Sequence, residues 1–345
     1  MAKKRIGIAH NVPIRMGQDF SEASLDVLAQ VEAVERALKE MGHTPVRIPF
    51  TRDLNAFVEN IRSSGVEMVF NLCETVDEDP KFAWHPAAVL ELLGIPFSGS
   101  PSSALMLTTD KVVTKQLLRT SGIPTPNYRI YDGLREKCRN GLHYPVIVKP
   151  QYEDASIGID QESIFTDEND LNKGVKEFFH RFGTILVEEY ISGREFNVSV
   201  FGYPTPTVLS PAEIDFSDFP DDLYRIVGYK AKWDINSFEF YHTPRVFPED
   251  VSPKLLCKIK KTVLECARLF MLRDYGRIDM RIDNQDNVHV LEVNANPCIS
   301  PDAGFPAAIF QSGFSYRDLI EHFVNFMSMR SAHDGHQAVH LAGQG

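Results

Sequence analysis

The chain has few cysteines, and they follow no recognisable pattern. Its five cysteines are Cys73, Cys138, Cys257, Cys266 and Cys298 among 345 residues, and no two of them form a CxxC pair. This spacing excludes a zinc ribbon and gives no sign of a disulfide framework. Reduced thiols are typical of a reducing compartment.

Positive charge and long apolar runs are also scarce. The 36 Lys and Arg residues face 47 Asp and Glu residues, which leaves a net charge of -11. Nucleic-acid-binding proteins usually carry a basic patch, so we expect no nucleic-acid partner. No run approaches the roughly 18 apolar residues of a membrane span, and the start, MAKKRIGIAH, lacks the apolar stretch of an export signal. We therefore expect a cytoplasmic protein without a membrane partner.

The first hundred residues alternate short apolar strands with amphipathic helices. Ile6-Gly-Ile-Ala9 and residues 66–70 read as strands, and apolar residues between them recur at helical spacing until Gly42. This pattern predicts an α/β fold that begins with a βαβ (Rossmann-like) domain and a parallel sheet. We expect three domains, at 1–100, 101–190 and 191–330, and a disordered tail at 331–345.

Two adjacent strands near the C-terminal end carry the strongest chemical signal. The first strand, 277–283, places Arg277 and Asp279 on one face, and the second, 288–294, places Glu292 and Asn294 on one face. If these faces coincide, oxygen ligands of the kind that Mg²⁺ prefers converge beside a guanidinium. The alternative is an exposed hairpin face with ordinary surface charges.

Two further segments could contact a nucleotide. The strand Tyr144-Pro-Val-Ile-Val-Lys149 ends in a lysine and leads into a loop of small and polar residues, where phosphate could meet the ammonium and backbone N–H groups. The strand 185–189 ends in Glu188 and Glu189, and carboxylates accept hydrogen bonds from hydroxyls. Taken alone, each is more simply a solvent-exposed lysine or surface carboxylate.

Taken together and in this order, the segments resemble the ATP-grasp superfamily and, within it, the D-alanine–D-alanine ligase group. The resemblance covers most of residues 5–305. It rests on five blocks: LELLGIPFSGS at 90–100, Asp110-Lys111 with GIPTP at 122–126, PVIVKP at 145–150, EEYISGREF at 188–196, and LEVN with Pro297 at 291–297. It implies an ATP-grasp fold, with α+β character in the catalytic part.

The resemblance also implies a role for each matching residue. ATP would contact Lys111, Lys149, Ser156, Glu188, Glu195 and Lys232, and Mg²⁺ or Mn²⁺ would bind Asp279, Glu292 and Asn294. Arg277 would stabilise an oxyanion, and Glu22 would hold the amino group of the first substrate. Both are the implied catalytic residues.

The residues on the substrate side depart from the group. Ala155 replaces one of the paired serines in the phosphate loop, Trp233 replaces the tyrosine of the lid, and Ala303 replaces the serine that receives the second amino acid. The hydroxyl network that closes the family's lid therefore cannot form here. A site that has lost hydrogen-bonding partners selects different substrates.

The implied function is an ADP-forming ligase that joins a small carboxylate, such as an amino acid, to an amine through an acyl phosphate. Its partners would be these small molecules and a second copy in a homodimer. Two alternatives stay open: a nucleotide-binding regulatory protein without ligase activity, and a phosphotransferase on the same fold.

Overall fold

The computed structural model describes residues 3–14, 22–134 and 141–342, without the side chains of 22–24 and 332–342. The first part contains a three-stranded parallel sheet in the order β2-β1-β3. Its elements are β1 (Arg5–Asn11), α1 (Glu22–Glu40), β2 (Thr44–Phe50), α2 (Leu54–Ser64), β3 (Met68–Asn71), α3 (His85–Leu92), α4 (Ser102–Thr109) and α5 (Lys111–Thr120). All residues of β1 except Arg5 are buried, as expected for a parallel strand covered on both faces.

The second part is a four-stranded antiparallel sheet in the order β4-β7-β5-β6. Its elements are β4 (Tyr128–Tyr131), β5 (Val146–Pro150), β6 (Ile164–Phe165), α6 (Glu168–Phe182) and β7 (Ile185–Glu189). Asp167 caps α6 by accepting hydrogen bonds from two backbone N–H groups, and Leu171 and Val175 bury one face of the helix in the core. Lys149 and Glu188 are the next-to-last residues of β5 and β7; Lys149 is half-buried and Glu188 is buried.

The third part is a larger antiparallel sheet in the order β11-β10-β8-β12-β13, with β9 paired to β8. Its elements are β8 (Arg194–Gly202), β9 (Thr207–Val208), β10 (Ala212–Ile214), α7 (Tyr229–Trp233), α8 (Phe238–Tyr241), β11 (Arg245–Val246), α9 (Pro253–Leu269), β12 (Asp274–Ile282), β13 (Val288–Asn294), α10 (Gly304–Gln311) and α11 (Tyr316–Ala342). The apolar faces of β8, β12 and β13 pack against α9.

The hydrophobic cores connect these parts. One core contains buried residues of α1, β3, β12 and α11. A buried ion pair reinforces this contact, because Arg330 of α11 binds both carboxylate oxygens of Asp274 at 2.6 and 2.9 Å. The boundaries expected at residues 100 and 190 stay a prediction.

The helix α11 continues to Ala342, and the disordered tail expected at 331–345 stays a prediction. Residues 331–342 contain one glycine and no proline, and several of them favour helix. Residues 343–345 lie outside the described chain. Within the described residues, no helix is long and apolar enough to cross a bilayer.

Candidate active site

A cavity of about 660 Å³ brings together most of the residues singled out in the sequence. Ten of the eleven line it: Lys111, Lys149, Ser156, Glu188, Glu195, Lys232, Arg277, Asp279, Glu292 and Asn294. The remaining residue, Glu22, begins α1, and its side chain lies outside the described part of the structure.

The pairing of β12 with β13 creates one polar face. Arg277 lies opposite Asn294, and Asp279 lies opposite Glu292. The register shifts directly after Asp279, so the irregularity falls beside the polar residues. All four side chains are half-buried, while their neighbours Ile278 and Val293 point into the core. The alternation of the two strands therefore produces the convergence that was expected.

Arg277 and Asp279 form a two-pronged ion pair on this face. Arg277 Nε donates to Asp279 Oδ1 at 2.7 Å, and Nη2 donates to Oδ2 at 2.8 Å. Burial alone would lower the pKa of Arg277, but the Asp279 carboxylate raises it above its usual range. The guanidinium therefore stays charged at the cavity wall.

Lys111 connects the polar face to the loop after β5. Its Nζ donates to the carbonyl oxygen of Glu153 at 2.6 Å and to Asp154 Oδ1 at 3.1 Å, and lies 3.3 Å from Glu292 Oε1. Against the effect of burial, these carboxylates raise the pKa of Lys111. The ammonium is held where two acidic side chains meet.

A second lysine cluster surrounds Glu188, which is 1% exposed. Lys149 Nζ donates to Glu188 Oε2 at 2.9 Å, and Lys115 Nζ lies 3.1 Å from Oε1. Burial and the nearby Lys149 lower the pKa of Lys115 to about 8, although Glu188 opposes this. Lys115 was not singled out from the sequence. The signal was its position four residues after Lys111, on the buried face of α5.

Glu195 is bound to a different cation. Arg281 Nε donates to its Oε2 at 3.0 Å, and both side chains are almost fully buried. Arg281 also lies over the ring of Tyr190. Glu188 and Glu195 therefore reach the cavity with separate, preformed positive partners.

The oxygen atoms of the β12–β13 face suit a hard cation that is shared with a ligand. Within the described residues, no three His, Cys, Asp or Glu side chains are grouped as a ready metal cage. Mg²⁺ commonly takes one or two protein carboxylates and fills its shell with water and phosphate oxygens. The carboxylates of Asp279 and Glu292 with the amide of Asn294 meet that requirement.

The short helix α7 is hydrogen-bonded to the loop after β5. Trp233 Nε1 donates to the carbonyl oxygen of Ala155 at 2.9 Å. Ser156 Oγ donates to the carbonyl oxygen of Val227 at 2.7 Å. An indole N–H and a serine hydroxyl therefore connect the loop after β5 to α7 and to the segment before it. Both hydrogen bonds use main-chain acceptors.

Lys232 points from α7 toward the polar face. Much of the Lys232 side chain is exposed, but desolvation of its ammonium in the cavity, and then the nearby Arg277, lower its pKa, whereas Glu292 and Asp279 favour its charged form. The helix thus carries a cation to the cavity next to Trp233.

Acidic residues line another side of the cavity. Gln30 Nε2 donates to Glu74 Oε1 at 2.8 Å and to Asp26 Oδ2 at 3.4 Å. Cys298 Sγ donates to the same Asp26 oxygen at 3.1 Å, and Ser300 Oγ lies 3.4 Å from Oδ1. Glu74, which follows β3, faces into the cavity. Asp26 was missed, although it lies four residues after Glu22 on α1.

The family model described as "D-ala D-ala ligase C-terminus" matches residues 117–325. A D-alanine–D-alanine ligase of Carboxydothermus hydrogenoformans is 32% identical over 302 residues, which cover 84% of this chain and 89% of that protein. A protein of Sinorhizobium fredii, named only as uncharacterized protein y4sG, is 32% identical over 297 residues and 84% of each chain.

Among solved structures, the Bacillus anthracis D-alanine–D-alanine ligase complexed with ATP superposes with a TM-score of 0.74 at 20% identity. The match covers 96% of this chain and 99% of the other. At this identity the likeness concerns the fold.

Proposed function

The chain belongs to the D-alanine–D-alanine ligase family, and from this we propose how its cavity joins an amino acid or related small carboxylate to an amine. Its ATP-grasp fold and its class, an ATP-dependent, ADP-forming ligase that makes an amide bond, were both predicted from the sequence and are confirmed. The residues that perform the reaction, and the substrates, are the subject of the proposal.

ATP would bind in the part of the cavity bounded by Lys111, by Lys149 and by α7. Lys111 and Lys149 would exchange part of their contact with carboxylates for contact with phosphate oxygens, and Lys232 would approach from α7. Ser156, in the small-residue loop after β5, lines the cavity and would contact a phosphate. Glu188 and Glu195, each fixed by an arginine or lysine, would accept hydrogen bonds from the adenine and ribose side.

Mg²⁺, held by Asp279, Glu292 and Asn294, would neutralise charge on the transferring phosphoryl group. The donor carboxylate attacks the γ-phosphate to form an acyl phosphate and ADP. The amine then attacks the acyl carbon, and phosphate leaves. Arg277 would donate hydrogen bonds to the oxyanion of the tetrahedral intermediate. Positioning and charge neutralisation are the main contributions of the chain.

The acidic side of the cavity would receive the ammonium group of the donor. Asp26 and Glu74 lie together there, and neither forms an ion pair with a described residue. Glu22, from the same helix as Asp26, stays a proposed partner for that ammonium. This arrangement would orient the donor so that its carboxylate points toward Arg277.

The register of β12 and β13 carries the proposal, because it places Arg277, Asp279, Glu292 and Asn294 on one face of the cavity. The test is incubation with ATP, Mg²⁺ and a panel of amino acids, followed by mass spectrometry. We expect an amide product with equal amounts of ADP and phosphate, and almost none from Asp279→Asn. If the product is phosphorylated and contains no amide, the proposed ligase reaction is wrong and the protein is a phosphotransferase.

We also propose a cytoplasmic location without a nucleic-acid partner. Cys73, Cys257, Cys266 and Cys298 are free thiols, whereas Cys138 lies outside the described residues. Free thiols and a net charge of -11 support this. We also propose that the protein forms a homodimer, because dimers are the commonest oligomers of soluble proteins.

A further inference from the structure

Lys115 lies behind the wall of the cavity, where its positive charge is almost completely buried. Its side chain, in the middle of α5, is 1% exposed. Lys149 and Glu188 line the cavity, whereas Lys115 does not. A fully buried lysine is rare in proteins unless its ammonium is paired. The partners of this ammonium therefore indicate what the buried charge does.

Three contacts hold the Lys115 ammonium in place. Its Nζ donates to Thr125 Oγ1 at 2.8 Å and to the carbonyl oxygen of Val290, in β13, at 3.1 Å. Thr125 Oγ1 donates to the same carbonyl oxygen at 2.7 Å. The third contact is the ion pair with Glu188 Oε1 at 3.1 Å. Lys115 would lose these contacts if it moved into the cavity, so a bound ligand meets Lys149 instead.

Glu188 is a carboxylate that two lysines share. Its Oε2 accepts a hydrogen bond from Lys149 Nζ at 2.9 Å. Its Oε1 has no hydrogen-bond partner in the described part of the chain, and the Lys115 ammonium balances its charge. Burial alone would raise the pKa of Glu188, but Lys115 and then Lys149 lower it. Two ammonium groups and one carboxylate leave one positive charge in surplus at the cavity wall.

The two lysines differ in what they can offer to an anion. Lys149 lines the cavity and can turn from Glu188 toward a phosphate group. Without Lys115, that movement would leave Glu188 as a buried, unpaired carboxylate, which is strongly destabilising. With Lys115 in place, Glu188 keeps a counter-ion when Lys149 leaves it.

On the basis of the function proposed above, we propose that Lys115 is a positioning residue that balances the charge of Glu188 and so frees Lys149 to bind a phosphate group of ATP. Lys115 itself touches neither the nucleotide nor the substrates. Its effect is limited to the phosphate part of the nucleotide, because Lys149 is the group that it frees.

The test compares a non-hydrolysable ATP analogue (AMP-PNP with Mg²⁺) with adenosine, which has no phosphate groups. Calorimetry gives Kd for the analogue and ligand-observed NMR gives Kd for adenosine. Their ratio, adenosine over analogue, measures what the phosphates add to binding. Lys115→Met keeps a side chain of similar length and removes the charge. We expect it to lower this ratio about 10- to 100-fold, with Kd for adenosine nearly unchanged.

A double variant shows whether Lys115 acts through Glu188. In Lys115→Met/Glu188→Gln no buried carboxylate holds Lys149, so the ratio should return to within about threefold of the wild type. A loss caused by general damage to the fold would not be rescued in this way. Lys260→Met, which removes an exposed lysine of α9, is the matched control and should equal the wild type.

An unchanged ratio in Lys115→Met, or an equal fall in the double variant, overturns the role of Lys115. If Lys115→Met does not fold, the double variant, which removes both charges of the pair, decides the inference. A ratio close to the wild type then supports it, and a ratio about tenfold lower overturns it. A wild type that binds the analogue but forms no amide contradicts the proposed function alone, whereas a wild type that does not bind the analogue overturns the inference.

Discussion

Glu74 offers a test in which the loss of a charge should stabilise the protein. Its side chain is half-buried beside Asp26, and Gln30 donates a hydrogen bond to it at 2.8 Å. Burial raises its pKa from 4.5 to about 7; Gln30 opposes this, and Asp26 and Asp154 add to it. Glu74→Gln keeps the acceptor for Gln30 and removes the charge.

The pH range of the effect follows from the two pKa values. Below about pH 4.5 the carboxyl group is neutral in the folded and unfolded states, so it contributes no difference. Between about pH 4.5 and 7 the unfolded chain releases this proton while the folded chain keeps it, and stability falls as pH rises. The shift corresponds to about 3 kcal/mol in full, or about 1–3 kcal/mol after allowance for the exposed fraction.

Thermal unfolding of wild type and Glu74→Gln between pH 4.5 and 9 measures this difference. We expect equal midpoints near pH 4.5 and a variant that is more stable by several degrees above pH 7. Glu59→Gln, an exposed carboxylate of α2, serves as the matched control and should show no such trend. A variant that is less stable at pH 8, or a difference that does not depend on pH, would refute the reasoning.

Three further substitutions test other contacts. Arg277→Ala should lower kcat about 10²- to 10³-fold with little change in the nucleotide Kd, and equal loss in both would contradict the oxyanion role. Trp233→Phe removes the N–H group that donates to Ala155, so KM for ATP should rise about 3- to 10-fold. An unchanged KM would show that this hydrogen bond does not position α7 for ATP binding. Arg330→Met leaves Asp274 as a buried, unpaired charge; denaturant unfolding should show a loss of about 3–5 kcal/mol, and a loss below about 1 kcal/mol would contradict this.

The polar face of β12 and β13 could be predicted because strand side chains alternate with a period of two. Arg277 and Asp279 had to share a face, and so did Glu292 and Asn294. The sequence could not establish the pairing register, which depends on how both strands pack against the core. The structure supplies that register.

Local sequence patterns could not predict the contacts between segments that are distant in the chain. Nothing near Glu74 in the sequence indicates that Gln30 and Asp26 are its neighbours. The hydrogen bond from the Trp233 indole to the backbone carbonyl of Ala155 depends on the path of the chain at Ala155. Tertiary packing determined each of these partners.

Transfer of ¹⁸O from a donor labelled in its carboxylate tests the central claim most directly. If the chain forms an amide through an acyl phosphate, one labelled oxygen should appear in the released phosphate for each amide formed, with ADP as the nucleotide product. Label in AMP would indicate adenylation of the carboxylate instead. Unlabelled phosphate released with ADP would contradict the acyl phosphate and the roles proposed for Arg277, Asp279 and Glu292.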